Sequence, residues 1–109
     1  TAKAVEQKFG PFWGAYLSIN IAAELIAENV ATIEDIDKAV KLGFNMPFGM
    51  LELADNFGID TVVQQLEELA NKFGHIDNLK NLLTPHPLLK QMVEKGELGK
   101  KSGKGFYKY

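Results

Sequence analysis

From Phe9 to Ala23 the chain carries no charged side chain, and the run FGPFWGAYLSINIAA continues through Leu25, Ile26 and Ala27 with only Glu24 interrupting. This predicts one long helix, with Pro11 in its first turn, where a missing N–H costs nothing. The charge-free run is shorter than the roughly 20 apolar residues that cross a bilayer, so it is not a membrane span. A helix apolar on most sides must be buried on most sides. Either its side around Phe12, Trp13, Tyr16, Leu17 and Ile21 meets another domain or a second copy, or it is a central helix wrapped by its neighbours.

Beyond it, Thr32 followed by Ile33, Glu34 and Asp35 reads as an N-cap with acids in the first turn, opening a second helix to about Leu42. Gly43 supplies its C-cap, Phe44 to Pro47 form a connector, and a third helix runs from about Phe48 to Phe57, closed by Gly58. Asp60 caps a fourth, in which Val62, Val63, Leu66, Leu69, Ala70 and Phe73 recur at helical spacing while Gln64, Gln65, Glu67, Glu68 and Lys72 face water. Gly74 ends it. A connector holding Thr84, Pro85 and Pro87 leads to a last helix, Leu88 to Lys95, stopped by Gly96, and then to a glycine- and lysine-rich tail. No stretch alternates as a strand does. The pattern predicts an all-α fold, a compact domain of about five helices without an internal repeat.

Length narrows this further. The 109 residues, 46% of them hydrophobic, suffice for one domain spanning 1–109 and leave no room for a dinucleotide-binding fold besides. A chain that begins at Thr1 is expected to be excised from a longer protein. The absence of cysteine removes disulfides, thiolate nucleophiles and Cys-based zinc sites, and two histidines leave little for any metal site; the composition fits a cytoplasmic protein. All twelve basic residues are lysine, and the net charge is −2, so no nucleic-acid partner is expected. Residues 100 to 109 hold four lysines and no acid, whereas residues 1 to 99 hold eight lysines against fourteen acids. The basic tail is either a solvated end or a surface for a phosphate-bearing ligand.

Candidate chemistry is sparse. Ser18, Ser102 and a few threonines sit in no nucleophile elbow, and both His75 and His86 fall in connectors, which points to surface or capping roles. Gly99 to Gly105, GKKSGKG, fails as a phosphate-binding loop: it has three residues where four are needed before Gly103-Lys104, glycine in place of the hydroxyl residue, and no preceding strand. The segment Phe44 to Leu51 is rich in methionine and phenylalanine, which line acyl pockets but serve helical cores far more often, so composition alone assigns it to the core. Asp37 and Asp55 read as local caps or helix-surface acids, while Gly103 and Gly105 allow a tight turn by which Phe106 and Tyr107 could fasten the tail to the helices.

Together these landmarks resemble the C-terminal helical domain of the 3-hydroxyacyl-CoA dehydrogenase family. The resemblance is carried by VATIEDIDKAVKLG at 30–43, NMPFGMLELADNFGID at 45–60, Pro87, Leu89, Val93, Gly96, Leu98 and Gly99, and the closing KKSGKGFYKY. It implies an all-α domain that closes over acyl-CoA and builds a homodimer, in a parent whose N-terminal nucleotide-binding domain holds NAD and the catalytic His–Glu pair. It also implies that Met46, Pro47, Phe48, Gly49 and Leu53 form the substrate-binding wall, with no catalytic, cofactor-binding or metal residue in this chain. Three features depart from the family pattern. Phe12 and Trp13 stand where the family has an Asn-Arg pair, Ile21 replaces the glutamate after Asn20, and Met50 replaces a proline. Such changes suit a duplicated, non-catalytic copy that only packs and dimerises, as in forms fused to an enoyl-CoA hydratase. On this resemblance the chain is expected to be the helical substrate and dimerisation domain of an NAD-dependent dehydrogenase of fatty acid β-oxidation, with that structural copy and an independent acyl-CoA-binding module as the alternatives.

Overall fold

A computed structural model describes residues 13–109, so Pro11 and Phe12 lie outside the described residues. The all-α expectation is met. Six α-helices follow one another among the described residues: α1 (Trp13–Ala27), α2 (Ile33–Gly43), α3 (Met50–Phe57), α4 (Ile59–Phe73), α5 (Asp77–Leu83) and α6 (Pro87–Glu94), then a single 3-10 turn at Lys100–Ser102. The caps explain most boundaries. Thr32 accepts a hydrogen bond from the Asp35 N–H and opens α2. Gly58, at φ +95°, ends α3 and begins α4, so Asp60 sits in the first turn of α4 rather than capping it. Its carboxylate pairs instead with Lys101 Nζ at 2.6 Å.

The helix α1 is the central one. Its Tyr16, Ile19 and Ala23 are buried against Ala54 of α3, Ile59, Val62, Leu66 and Leu69 of α4, Leu83 of α5, and Leu89 and Met92 of α6. This settles the choice left by the sequence for one residue in particular. Tyr16 belongs to the domain's own core, its ring 5.2 Å from that of Phe57, while Ile21 remains 44% exposed. Burying a side chain such as Ile19 or Leu66 is worth about 1.5–3 kcal/mol, and these residues hold the bundle together.

The stretch read as a connector after Gly74 contains α5, a seven-residue helix. Its only deeply buried residue is Leu83, so there is almost no apolar period to reveal it. In contrast, α2 packs on α3 and leaves an apolar groove against α1, with a cavity of about 230 Å³ between Ser18, Ile21, Ala22 and Leu25 on one side and Ile36, Val40, Phe44 and Met50 on the other. Among the described residues no helix is long and apolar enough to cross a membrane.

Candidate functional site

Two carboxylates read as caps or surface acids are among the most buried side chains: Asp37 is 2% and Asp55 1% exposed. Burying a charge is costly unless it is fully hydrogen-bonded, and both are. Asp37 Oδ1 accepts the Leu51 N–H at 2.8 Å; its Oδ2 accepts the Glu52 N–H at 3.1 Å and the Tyr107 hydroxyl at 2.7 Å. Thus an acid on α2 caps the first turn of α3, where it also complements the positive end of the helix dipole. Asp55, in the middle of α3, performs the matching service for the tail. It accepts N–H bonds from Phe106 and Tyr107 at 2.9 and 3.0 Å, and the Tyr109 hydroxyl at 2.6 Å.

Glycines make this approach possible. A Cβ on Gly49 would overlap the Asp37 side chain, and one on Gly105 would overlap Asp55 Oδ1 and the backbone of Gly99. The segment that failed as a phosphate-binding loop is therefore a structural knot: Ser102 Oγ accepts the Leu98 N–H at 2.8 Å, and isolated antiparallel bridges join Gly99 to Lys104 and Lys104 to Lys108. Burial first, then the bond to Asp37, pushes the Tyr107 phenol far above its ordinary range; burial and Asp55 do the same for Tyr109. Both hydroxyls stay protonated and donate.

The predicted wall residues lie beside this knot. The connector leaves α2 with its backbone tied back, the Phe44 N–H to Val40 O and the Met46 N–H to Lys41 O, and Asn45 adopts φ +52° to turn the chain. At the far end the Gly49 N–H donates to Glu52 Oε1, which also pairs with Lys41 Nζ at 2.6 Å and is held below the usual carboxylate range chiefly by that contact. Met46 and Phe48 are half-buried, Pro47 is exposed and Phe44 is 74% exposed. Gly49 and Leu53 are buried behind them. Met46, Pro47 and Phe48 thus sit on an accessible connector whose flanking residues, Phe44 and Met50, line the α1–α2 groove, while none of the five predicted wall residues lines it.

A second polar cluster joins α1 to the α5–α6 connector. Asn20, 7% exposed, donates from Nδ2 to the carbonyls of Leu82 and Thr84, both at 2.8 Å, and accepts the His86 N–H on Oδ1 at 2.7 Å. His86 caps α6 by accepting the Leu88 N–H on Nδ1 at 3.0 Å, and its Nε2 lies 2.6 Å from Glu24 Oε2. With Nδ1 accepting, Nε2 carries the proton and donates it to Glu24. Neither ring nitrogen is left with a free lone pair, so this His–Glu pair is a clamp and not a general base. Of the surface or capping roles that the sequence left open for His86, capping is the one found. The role of Asn20 gave no local signal, because its three partners lie more than sixty positions away.

A third feature is a polar cleft of about 570 Å³ whose lining includes Lys38, Lys41, Lys100 and Lys108 together with Tyr107 and Tyr109. Lys100 Nζ stands 5.7 Å from the centre of the Tyr109 ring, within cation–π range. Glu34 and Glu52 share the lining, so the cleft mixes charges. No group of three or more metal-ligating side chains occurs among the described residues.

The architecture matches one family. The profile of the 3-hydroxyacyl-CoA dehydrogenase C-terminal domain covers residues 15–109. The chain belongs to this family. Its relatives include a probable 3-hydroxybutyryl-CoA dehydrogenase of Deinococcus radiodurans, 45% identical over 91 residues, or 84% of this chain and 31% of the relative. The 3-hydroxybutyryl-CoA dehydrogenase of Clostridioides difficile is 43% identical over 84% of this chain and 31% of its own length. Among solved structures, M. tuberculosis FadB2 superposes with a TM-score of 0.80 at 39% identity, covering 87% of this chain and 32% of that one. The (S)-3-hydroxybutyryl-CoA dehydrogenase PaaH1 of Ralstonia eutropha gives 0.78 at 38% identity, covering 86% and 31%. The chain spans about a third of the length of these relatives. In this family member, the acids and tail tyrosines singled out by the sequence are the bolts of the domain.

Proposed function

We propose that this chain is the substrate-closing helical domain of an NAD-dependent 3-hydroxyacyl-CoA dehydrogenase of fatty acid β-oxidation, acting in the cytoplasm. In this reading a nucleotide-binding domain of the parent supplies NAD and the catalytic pair, and the helical domain presents Met46, Pro47 and Phe48 to the acyl-pantetheine portion, with Gly49 and Leu53 shaping the wall from behind. The described residues include no strand followed by a glycine loop, the arrangement that cradles a dinucleotide pyrophosphate, so the residues here do not fit NAD. They bind and orient. The reading is supported by the accessible Met46–Phe48 connector, whose flanking residues Phe44 and Met50 line an apolar groove, in a domain of this family. A homodimer contact through the exposed flank of α1 at Ile21 is part of the same proposal.

The test is a calorimetric titration of octanoyl-CoA into the chain and into a Phe48→Asp variant. Weak saturable binding that the variant loses supports the acyl wall. Equal saturable binding by both would remove it, and no binding by either would favour the second reading, a structural copy that only packs and dimerises. That alternative draws its support from Phe12 and Trp13 at the place of the family's Asn-Arg pair.

A further inference from the structure

The proposed acyl wall is a connector, and a connector holds one shape only where both ends are tied. Its first end is tied by the two backbone bonds to α2. Its second end depends on Asp37, which accepts the Leu51 and Glu52 N–H groups and against which Gly49 fits with no room for a Cβ. The third donor to the same carboxylate arrives from the opposite end of the chain: the Tyr107 hydroxyl, 2.7 Å from Oδ2. Resting on the acyl-wall reading, we propose that Tyr107 is a positioning residue for the acyl site. Its hydroxyl fixes the orientation of the Asp37 carboxylate, which fixes the first turn of α3 and so the placement of Phe48.

The chain of contacts is short and without slack. Asp37 is 2% exposed, and it and Tyr107 both border the polar cleft, so a lost hydroxyl is replaced only by a water entering from that cleft. A carboxylate that turns does so against Gly49, which has no room for a Cβ beside it and directly follows Phe48. The fold also contains its own comparison. Tyr109 makes the same kind of bond, 2.6 Å to Asp55, yet the other donors to Asp55 are the Phe106 and Tyr107 N–H groups, which belong to the tail and not to the connector. Two phenols with like chemistry therefore have unlike consequences.

The experiment compares wild type, Tyr107→Phe and Tyr109→Phe, well below all three unfolding transitions, by titration with octanoyl-CoA and with CoA alone while amide shifts are followed. Tyr107→Phe is expected to weaken octanoyl-CoA by about threefold to tenfold, the equivalent of one hydrogen bond. It should leave the response to CoA alone unchanged and shift the amides of residues 44–51 in the free chain. Tyr109→Phe should lose comparable thermal stability but change octanoyl-CoA affinity by no more than about twofold, because its hydroxyl bonds Asp55 and not Asp37. Wild-type affinity in Tyr107→Phe, or equal weakening in both variants, would overturn the positioning role. A wild-type chain that does not bind octanoyl-CoA would overturn the acyl-wall reading on which it rests.

Discussion

Asn20 Oδ1 accepts the backbone N–H of His86 at 2.7 Å, and through this bond the central helix holds the start of the last one. The same amide donates to the carbonyls of Leu82, in the last turn of α5, and of Thr84 just beyond it, so one side chain satisfies three backbone groups. A connector rich in proline has few N–H groups with which to tie itself, and Asn20 supplies the missing partners.

Asn20→Ala is expected to destabilise the domain by about 2–4 kcal/mol, because it strands three partly buried backbone groups at once. Asn20→Asp should be at least as harmful, since a carboxylate cannot donate to the Leu82 and Thr84 carbonyls. Urea unfolding followed by circular dichroism measures both. Stability within about 0.5 kcal/mol of wild type would show that the clamp is dispensable.

Asp55→Asn tests the tail knot. An amide placed there turns one of its ends toward N–H donors, so at least one of the bonds from Phe106 and Tyr107 must be lost. We expect a loss of about 2–4 kcal/mol and earlier proteolysis of residues 99–109 than of the helices. Gly105→Ala should act in the same direction, because the added methyl overlaps Asp55 Oδ1. Protection of the tail equal to wild type in either variant would contradict the assignment.

The pH dependence follows from the raised phenol of Tyr107, whose causes are burial and Asp37. A folded pKa above the unfolded one contributes stability that is complete below the unfolded value, about 10, and is lost as pH rises through the folded one. The stability difference between wild type and Tyr107→Phe should therefore be constant from pH 6 to about 9 and shrink above about 10. Acid acts through other groups. Glu52 and Asp60 are lowered, chiefly by Lys41 and Lys101, so their contribution is present above the unfolded carboxylate range and lost as pH falls below it. Both pairs are well exposed, and together they are expected to contribute less than about 1 kcal/mol. Chemical denaturation at a series of pH values separates the two limbs.

The fold class was legible because Val62, Leu66, Leu69 and Phe73 recur at helical spacing and because Thr32, Gly58 and Gly74 punctuate the chain. Capping by His86 and the fastening of the tail through Tyr107 were also readable from local pattern. What local pattern does not carry is long-range burial. Asp37 and Asp55 look like surface acids because their donors lie on other elements, and an isolated acid gives no sign that it will be surrounded. Tyr16 likewise has the composition of an interface residue and the surroundings of a core one. Short α5 escaped notice since a seven-residue helix with one buried leucine has no measurable period. The candidate wall came from resemblance, and its accessible part, Met46 to Phe48, could be separated from buried Gly49 and Leu53 only with coordinates.

The most direct test of the account is an amide-shift map of the chain titrated with octanoyl-CoA. Perturbations are expected to centre on residues 44–51 and on the groove residues Leu25, Ile36 and Val40, with little change around Asn20 and His86. Perturbations confined to the Asn20–His86 cluster or to the lysine-lined cleft at Lys38 and Lys108, with none in the connector, would contradict it.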